Sequence, residues 1–105
     1  MGIHLRISAQ TLAVLEALLD RPSGWHHGYA ISRHTGISSG TLYPIFMRLE
    51  KLGWLEARWE DAGVRGRPPR HLYRLSSTGR ACAREELAQA RERGFQALRP
   101  AGEEV

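Results

Sequence analysis

The run Ser38-Ser39-Gly40-Thr41 is small and hydrogen-bonding, and it opens a helical pattern. The outer face of that pattern carries Gly40, Pro44, Met47 and Lys51, flanked by Tyr43 and Arg48. These residues offer hydrogen bonds and positive charge rather than bond-making chemistry. Small residues let the backbone come close to a partner, and free amides at a helix start favour phosphate oxygens. An α-helix fits the major groove of duplex DNA, where its first residues reach the base edges. Tyr43 is suited to bond a phosphate or stack on a sugar, and Arg48 and Lys51 to meet phosphates. Arg33 and His34, just upstream, are placed to touch the neighbouring backbone. The plainer alternatives are that Ser38 and Ser39 only cap a helix and that Tyr43 is ordinary surface or partial core.

A second basic cluster follows. Between Asp61 and Glu85 there is no acidic residue but there are six arginines: Arg65, Arg67, Arg70, Arg74, Arg80 and Arg84. Arg65, Arg67 and Arg70 fall in a Gly- and Pro-rich stretch and suit a phosphate or a narrow minor groove. The alternative is a solvated loop. The formal net charge of +4 agrees with a polyanionic partner without requiring one.

No catalytic dyad stands at workable spacing, and no phosphate loop or cofactor motif is present. His4, His26, His27, His34 and His71 form no ligand set. The single Cys82 excludes an internal disulfide and suits a small filler on a helix. An enzyme is therefore not expected, nor a metal or cofactor. At 105 residues one folding unit is expected. No stretch has the roughly 20 apolar residues of a membrane span. The N-terminus lacks the apolar core of a signal peptide, so a cytoplasmic location with no membrane partner is the expectation.

The elements that must position these groups read as follows. Ser8 caps a helix over 9–20, with Leu12, Leu15, Leu18 and Leu19 at helical spacing. Trp25, His26 and His27 fall in a loop. A short helix over 28–35 has Tyr29, Ala30 and Ile31 as its apolar members and closes at Gly36. The third helix, 39–52, buries Leu42, Ile45, Phe46, Leu49 and Leu52, with its first turn tightened or bent by Pro44. Leu55, Ala57 and Trp59 alternate as the inner side of a half-buried strand, and Tyr73 and Leu75 as the inner pair of a second. A last helix runs from Ser76 or Ser77 to about Leu98 with a stripe of Leu87, Ala90, Gly94 and Leu98, Phe95 at its edge. The fold class expected is mainly α with a small β-hairpin: a winged helix-turn-helix over 8–76, a dimerisation helix over 77–98 and a tail over 99–105. The stripe on the last helix needs cover, and a second copy of the chain would supply it; the alternative is that the helix folds back on its own core.

Gly28-Tyr29-Ala30-Ile31, Gly40-Thr41-Leu42-Tyr43-Pro44 and Arg48-Leu49-Glu50-Lys51-Leu52-Gly53 resemble the PadR family of winged helix-turn-helix regulators. So do Gly66-Arg67-Pro68-Pro69-Arg70-His71-Leu72-Tyr73-Arg74-Leu75 and Thr78-Gly79-Arg80. The resemblance covers about residues 8–98 and points to the compact subgroup with one C-terminal dimerisation helix. It implies a homodimer that represses from a palindromic operator in double-stranded DNA. It places Thr41, Tyr43 and Pro44 at the DNA surface. It also implies a last helix that crosses its partner with help from the first, which brings in Leu12. Some compact members bind flat aromatic compounds between subunits, using a tryptophan on the last helix. Here the tryptophans are Trp25, Trp54 and Trp59, none of them on that helix, and Phe95 is the only aromatic residue there. The residues identify no small-molecule effector. The competing reading is a winged-helix protein-interaction module that does not touch DNA; the lack of an acid among Gly40, Pro44, Met47 and Lys51 weighs against it.

Overall fold

The computed structural model describes residues 7–61 and 69–94. Four helices, α1 (Ala9–Leu19), α2 (Gly28–Thr35), α3 (Ser39–Lys51) and α4 (Ser77–Glu92), surround a small sheet of β1 (His26–His27), β2 (Leu55–Trp59) and β3 (His71–Leu75). The sheet is antiparallel in the order β1-β3-β2. This is a winged helix.

The third strand of the sheet corrects the expected loop at His26 and His27. They pair with Tyr73 and Leu72 along the open edge of β3. Two residues are too short to display a period, and the pairing depends on an edge supplied from far along the chain.

His26 is buried, and its Nε2 lies 3.2 Å from the Arg21 carbonyl. Loss of water pushes its pKa below the usual histidine value, against an opposing pull from that hydrogen bond. In the unfolded chain the group titrates near 6.5. Stability from the neutral imidazole is complete above that pH and is lost as pH falls towards the lower folded value. The urea midpoint is therefore expected to fall between pH 7.5 and pH 5.5, and His26→Gln to flatten that dependence. An equal fall in the variant would remove His26 as the cause.

The core lies between the helices and one face of the sheet. α1 is buried nearly all round, with Val14, Leu15 and Leu18 inaccessible. Leu42, Ile45, Phe46 and Leu49 of α3 and Tyr73 and Leu75 of β3 complete it, as their spacing predicts. Cys82 packs against this core as a partly buried filler.

Other expectations fail at the margins of the core. Leu52 is 38% exposed because the helix ends beside it, and Gly53 takes a positive φ of 78°. Tyr29 and Ala30 face solvent; only Ile31 of that trio is buried. Trp59 lies on the inner side of β2 but is 62% exposed, because the burial that covers Leu55 fades through Ala57 and is gone by residue 59.

α4 also departs from expectation. It ends at Glu92, and Gly94 has a φ of 90°, a left-handed conformation that ends helices. Gly94 is therefore outside the helix, not part of its stripe. Phe95 and Leu98 lie outside the described residues. Leu87 and Ala90 are buried against Leu12 of the same chain, with Ile7 and Leu19 alongside. This part of the stripe is covered without a second copy. Arg91 donates to Glu16 across the same helix pair at 2.8 Å.

Candidate nucleic-acid interface

Three helices begin at a serine, and the three serines behave differently. Ser8 accepts a hydrogen bond from the Thr11 amide at 3.1 Å, and Ser76 one from the Gly79 amide at 2.9 Å. Ser38, at the start of α3, makes no side-chain cap. Its carbonyl takes both the Thr41 amide at 3.1 Å and the Leu42 amide at 2.9 Å, so the first turn is tightened, as Pro44 led one to expect. The capping alternative for Ser38 thus finds no support, and the first turn holds no acid. Ser38, Ser39, Gly40 and Thr41 are all exposed. The result is a helix start with uncommitted hydroxyls and a positive dipole end facing water.

The turn that leads into it is fixed from below. Gly36 takes a φ of 75°. Ser32 donates to the Ile37 carbonyl at 2.6 Å, and Thr35 both donates to the Ile31 carbonyl at 2.8 Å and accepts from the Ile37 amide at 3.2 Å. Buried Ile37 then anchors the loop to the core. α2 and α3 are therefore held in a defined helix-turn-helix relation.

Tyr43 is half-exposed and preorganised. Its ring meets Phe46 edge-on at 5.8 Å between centroids and Tyr73 at 6.5 Å. Its hydroxyl lies over Gly28: a Cβ there would sit 3.0 Å from the oxygen. A side chain on the first residue of α2 would crowd this pose and make the tyrosine of α3 give way by a few tenths of an ångström. Tyr73 is stacked on Phe46 at 4.1 Å, and burial pushes its hydroxyl pKa up to about 12, so it stays protonated.

The other candidates distribute around this start. Pro44, Met47, Arg48 and Lys51 are exposed along the outer face of α3. Arg33 turns back along α2, donating to the Tyr29 hydroxyl at 3.1 Å. His34 lines a depression with Glu16, Leu19 and Asp20 at the end of α1 and Arg84, Leu87 and Arg91 of α4, and so groups with those elements rather than with the α3 start. Arg70 is exposed at the foot of the wing, where the Glu60 amide donates to its carbonyl at 2.8 Å. Arg65 and Arg67 lie outside the described residues.

Two features escaped sequence reasoning. The guanidinium groups of Arg58 and Arg74 both lie over the Trp25 ring, 4.4 and 4.3 Å from its centroid, and Arg74 is paired with Glu56 opposite it on β2 at 2.7 Å. This contact ties the hairpin to the loop before β1. On the other face, Trp59 stacks on His71, its cross-strand partner, at 3.9 Å. The only hint in the sequence was a tryptophan at the outer end of an alternating strand.

The helix-turn-helix, the uncapped third helix and the hairpin beside it are together the plan of a winged-helix regulator. The model of the PadR-like transcriptional regulator family matches residues 14–85. The chain belongs to the PadR-like family of transcriptional regulators. Its fold is similar to that of a PadR family transcriptional regulator from Eggerthella lenta DSM 2243, with 28% identity over 82% of this chain and 78% of that one and a TM-score of 0.67. A Streptococcus mutans UA159 structure gives 27% identity over 88% and 87%, with a TM-score of 0.65. A PadR family regulator from Clostridium difficile R20291 shares the fold alone, at 16% identity over 83% and 92%, with a TM-score of 0.70. Among curated proteins none matches the chain in sequence. PadR-like chains are transcription regulators, not enzymes. Among the described residues of this PadR-like chain, no helix is long and apolar enough to cross a membrane.

Proposed function

We propose that this PadR-like chain binds double-stranded DNA as a homodimeric repressor, with the start of α3 in the major groove and the wing on the adjoining backbone. The observation that carries the reading is the α3 start: exposed, free of acid and not capped by Ser38. Ser38, Ser39, Gly40 and Thr41 approach base edges and phosphates, Tyr43 and Pro44 lie at the groove edge, and Arg48 and Lys51 meet the backbone further along. Arg33 and the wing arginines Arg65, Arg67 and Arg70 supply further phosphate contacts. Two copies related by a two-fold axis would read an inverted repeat with half-sites one DNA turn apart. α4 and the residues after it are the proposed dimer element, with the DNA-binding unit over 8–76. Since Leu87 and Ala90 are occupied within the chain, the partner must dock on other residues of this element.

The test is selection of bound duplexes from a random pool, followed by footprinting. An inverted repeat is the expected result, with affinity falling on a log–log plot against salt by a slope of about −0.9 per phosphate contact. A pool that yields no enriched sequence contradicts the reading. It would favour the protein-interaction alternative, whose one support is Met47, 60% exposed on the outer face of α3.

A further inference from the structure

Between the start of α2, Tyr43 of α3 and the foot of the wing lies an open cleft of about 360 Å³, walled by Gly28, Tyr29, Tyr43, Trp59, Arg70 and His71. Trp59 and Tyr29 are 62% and 64% exposed, an unusual outlay of aromatic surface for a small chain. Trp59 is nonetheless held in one pose, its ring within 22° of parallel to His71. His71 is fixed in turn by the Tyr73 hydroxyl, 3.4 Å from its Nδ1. A flat apolar face is thus kept open to water and already ordered, so little entropy remains to be lost when something lies on it.

From this geometry we infer that the cleft seats one sugar–phosphate unit of the DNA strand, with the deoxyribose on the Trp59 face and its phosphate between the Tyr43 hydroxyl and Arg70. The inference rests on the DNA-binding reading above. A strand contacted both by Tyr43 of α3 and by Arg70 at the foot of the wing must pass between them, and both residues line this cleft. Its polar rim suits the passage. Gly28 leaves room beneath the Tyr43 hydroxyl, and Arg70 stands exposed at the wing side. The acid at the rim, Glu60, is engaged: its Oε1 accepts the Arg70 amide at 3.2 Å and its Oε2 lies 3.8 Å from His27 Nε2. Trp59 is then a specificity-neutral anchor that sets where the wing meets the backbone.

The experiment compares wild type, Trp59→Ala, Trp59→Phe and Tyr43→Ala by anisotropy titration on the tightest duplex recovered from the random pool. Circular dichroism melts run alongside. Trp59→Ala is expected to bind about ten-fold more weakly, with its melting lowered only slightly, because the exposed ring gives up no more than its stack on His71, and Trp59→Phe to stay close to wild type. Ethylation interference on the same duplex should lose a single phosphate per half-site in Trp59→Ala. If Trp59→Ala binds like wild type while Tyr43→Ala is weakened, the DNA reading stands and the cleft assignment falls. Equal losses in Trp59→Ala and Trp59→Phe also overturn it, since the aromatic face would then not be what matters. A wild type that binds no duplex overturns both.

Discussion

Gly79→Ala is expected to destabilise the fold by about 3 kcal/mol, although alanine is the better helix former by about 1 kcal/mol. The reason lies at the junction where α3, β2 and α4 meet. A Cβ on Gly79 would be driven into the Trp54 carbonyl, with the Trp54 carbonyl carbon 2.7 Å and Cα 2.9 Å away. Neither neighbour is a flexible side-chain tip. Trp54 is held by its amide to the Leu49 carbonyl at 3.0 Å and by its carbonyl to the Ser76 amide at 2.9 Å. Ser76 adds a hydroxyl donated to the Gly53 carbonyl at 2.6 Å while capping α4. Room for one methyl would require the first turn of α4 to move off β2. A thermal melt should place the variant more than about 10 °C below wild type. Gly40→Ala is the internal contrast, because a Cβ there meets nothing within 4 Å. It should melt at or above the wild-type temperature. Equal melting of wild type and Gly79→Ala would mean that the close approach of α4 to Trp54 is wrong.

Gly40→Glu separates folding from function. The same open space that tolerates alanine admits a longer side chain pointing into water. A carboxylate in the first turn of a helix is favourable by about 0.3–1 kcal/mol through the helix dipole. The variant should therefore be at least as stable as wild type. On DNA the sign reverses. The new charge would stand among phosphates at the point of closest approach, where like-charge opposition costs several kcal/mol. A loss of affinity of about a hundred-fold or more is expected, measured by titration on the selected duplex. An interaction module that ignored DNA would give no reason for stability and binding to part in this way.

What could be read in advance divides along physical lines. α3 was legible because Leu42, Ile45, Phe46 and Leu49 repeat at the helical period and the core takes all four. The β2–β3 hairpin was legible through its alternation, and the turn before α3 through Gly36. β1 was not, because a two-residue strand carries no period and is created by the edge of β3. The Trp59–His71 stack was not, because it depends on the strand register, and the register is set by the hairpin as a whole. The end of α4 was misjudged because the apolar stripe ran on past Glu92, while Gly94 in a left-handed conformation ends the helix. Leu87 and Ala90 looked like surface needing a second copy; which side of α1 would meet them is decided by packing, and Leu12 fills the place. Three serines at helix starts read alike in sequence, and only the structure separates Ser8 and Ser76, which cap, from Ser38, which does not.

Entry of the α3 start into the major groove can be read directly by placing a cutting reagent there. Gly40→Cys in a Cys82→Ser background, carrying an iron chelate that cleaves nearby DNA, would be bound to the selected duplex. Strand cuts are expected inside each footprinted half-site, symmetric about the centre of the inverted repeat. Cuts confined to the flanks of the footprint, or no cuts from a complex that still forms, would contradict groove entry.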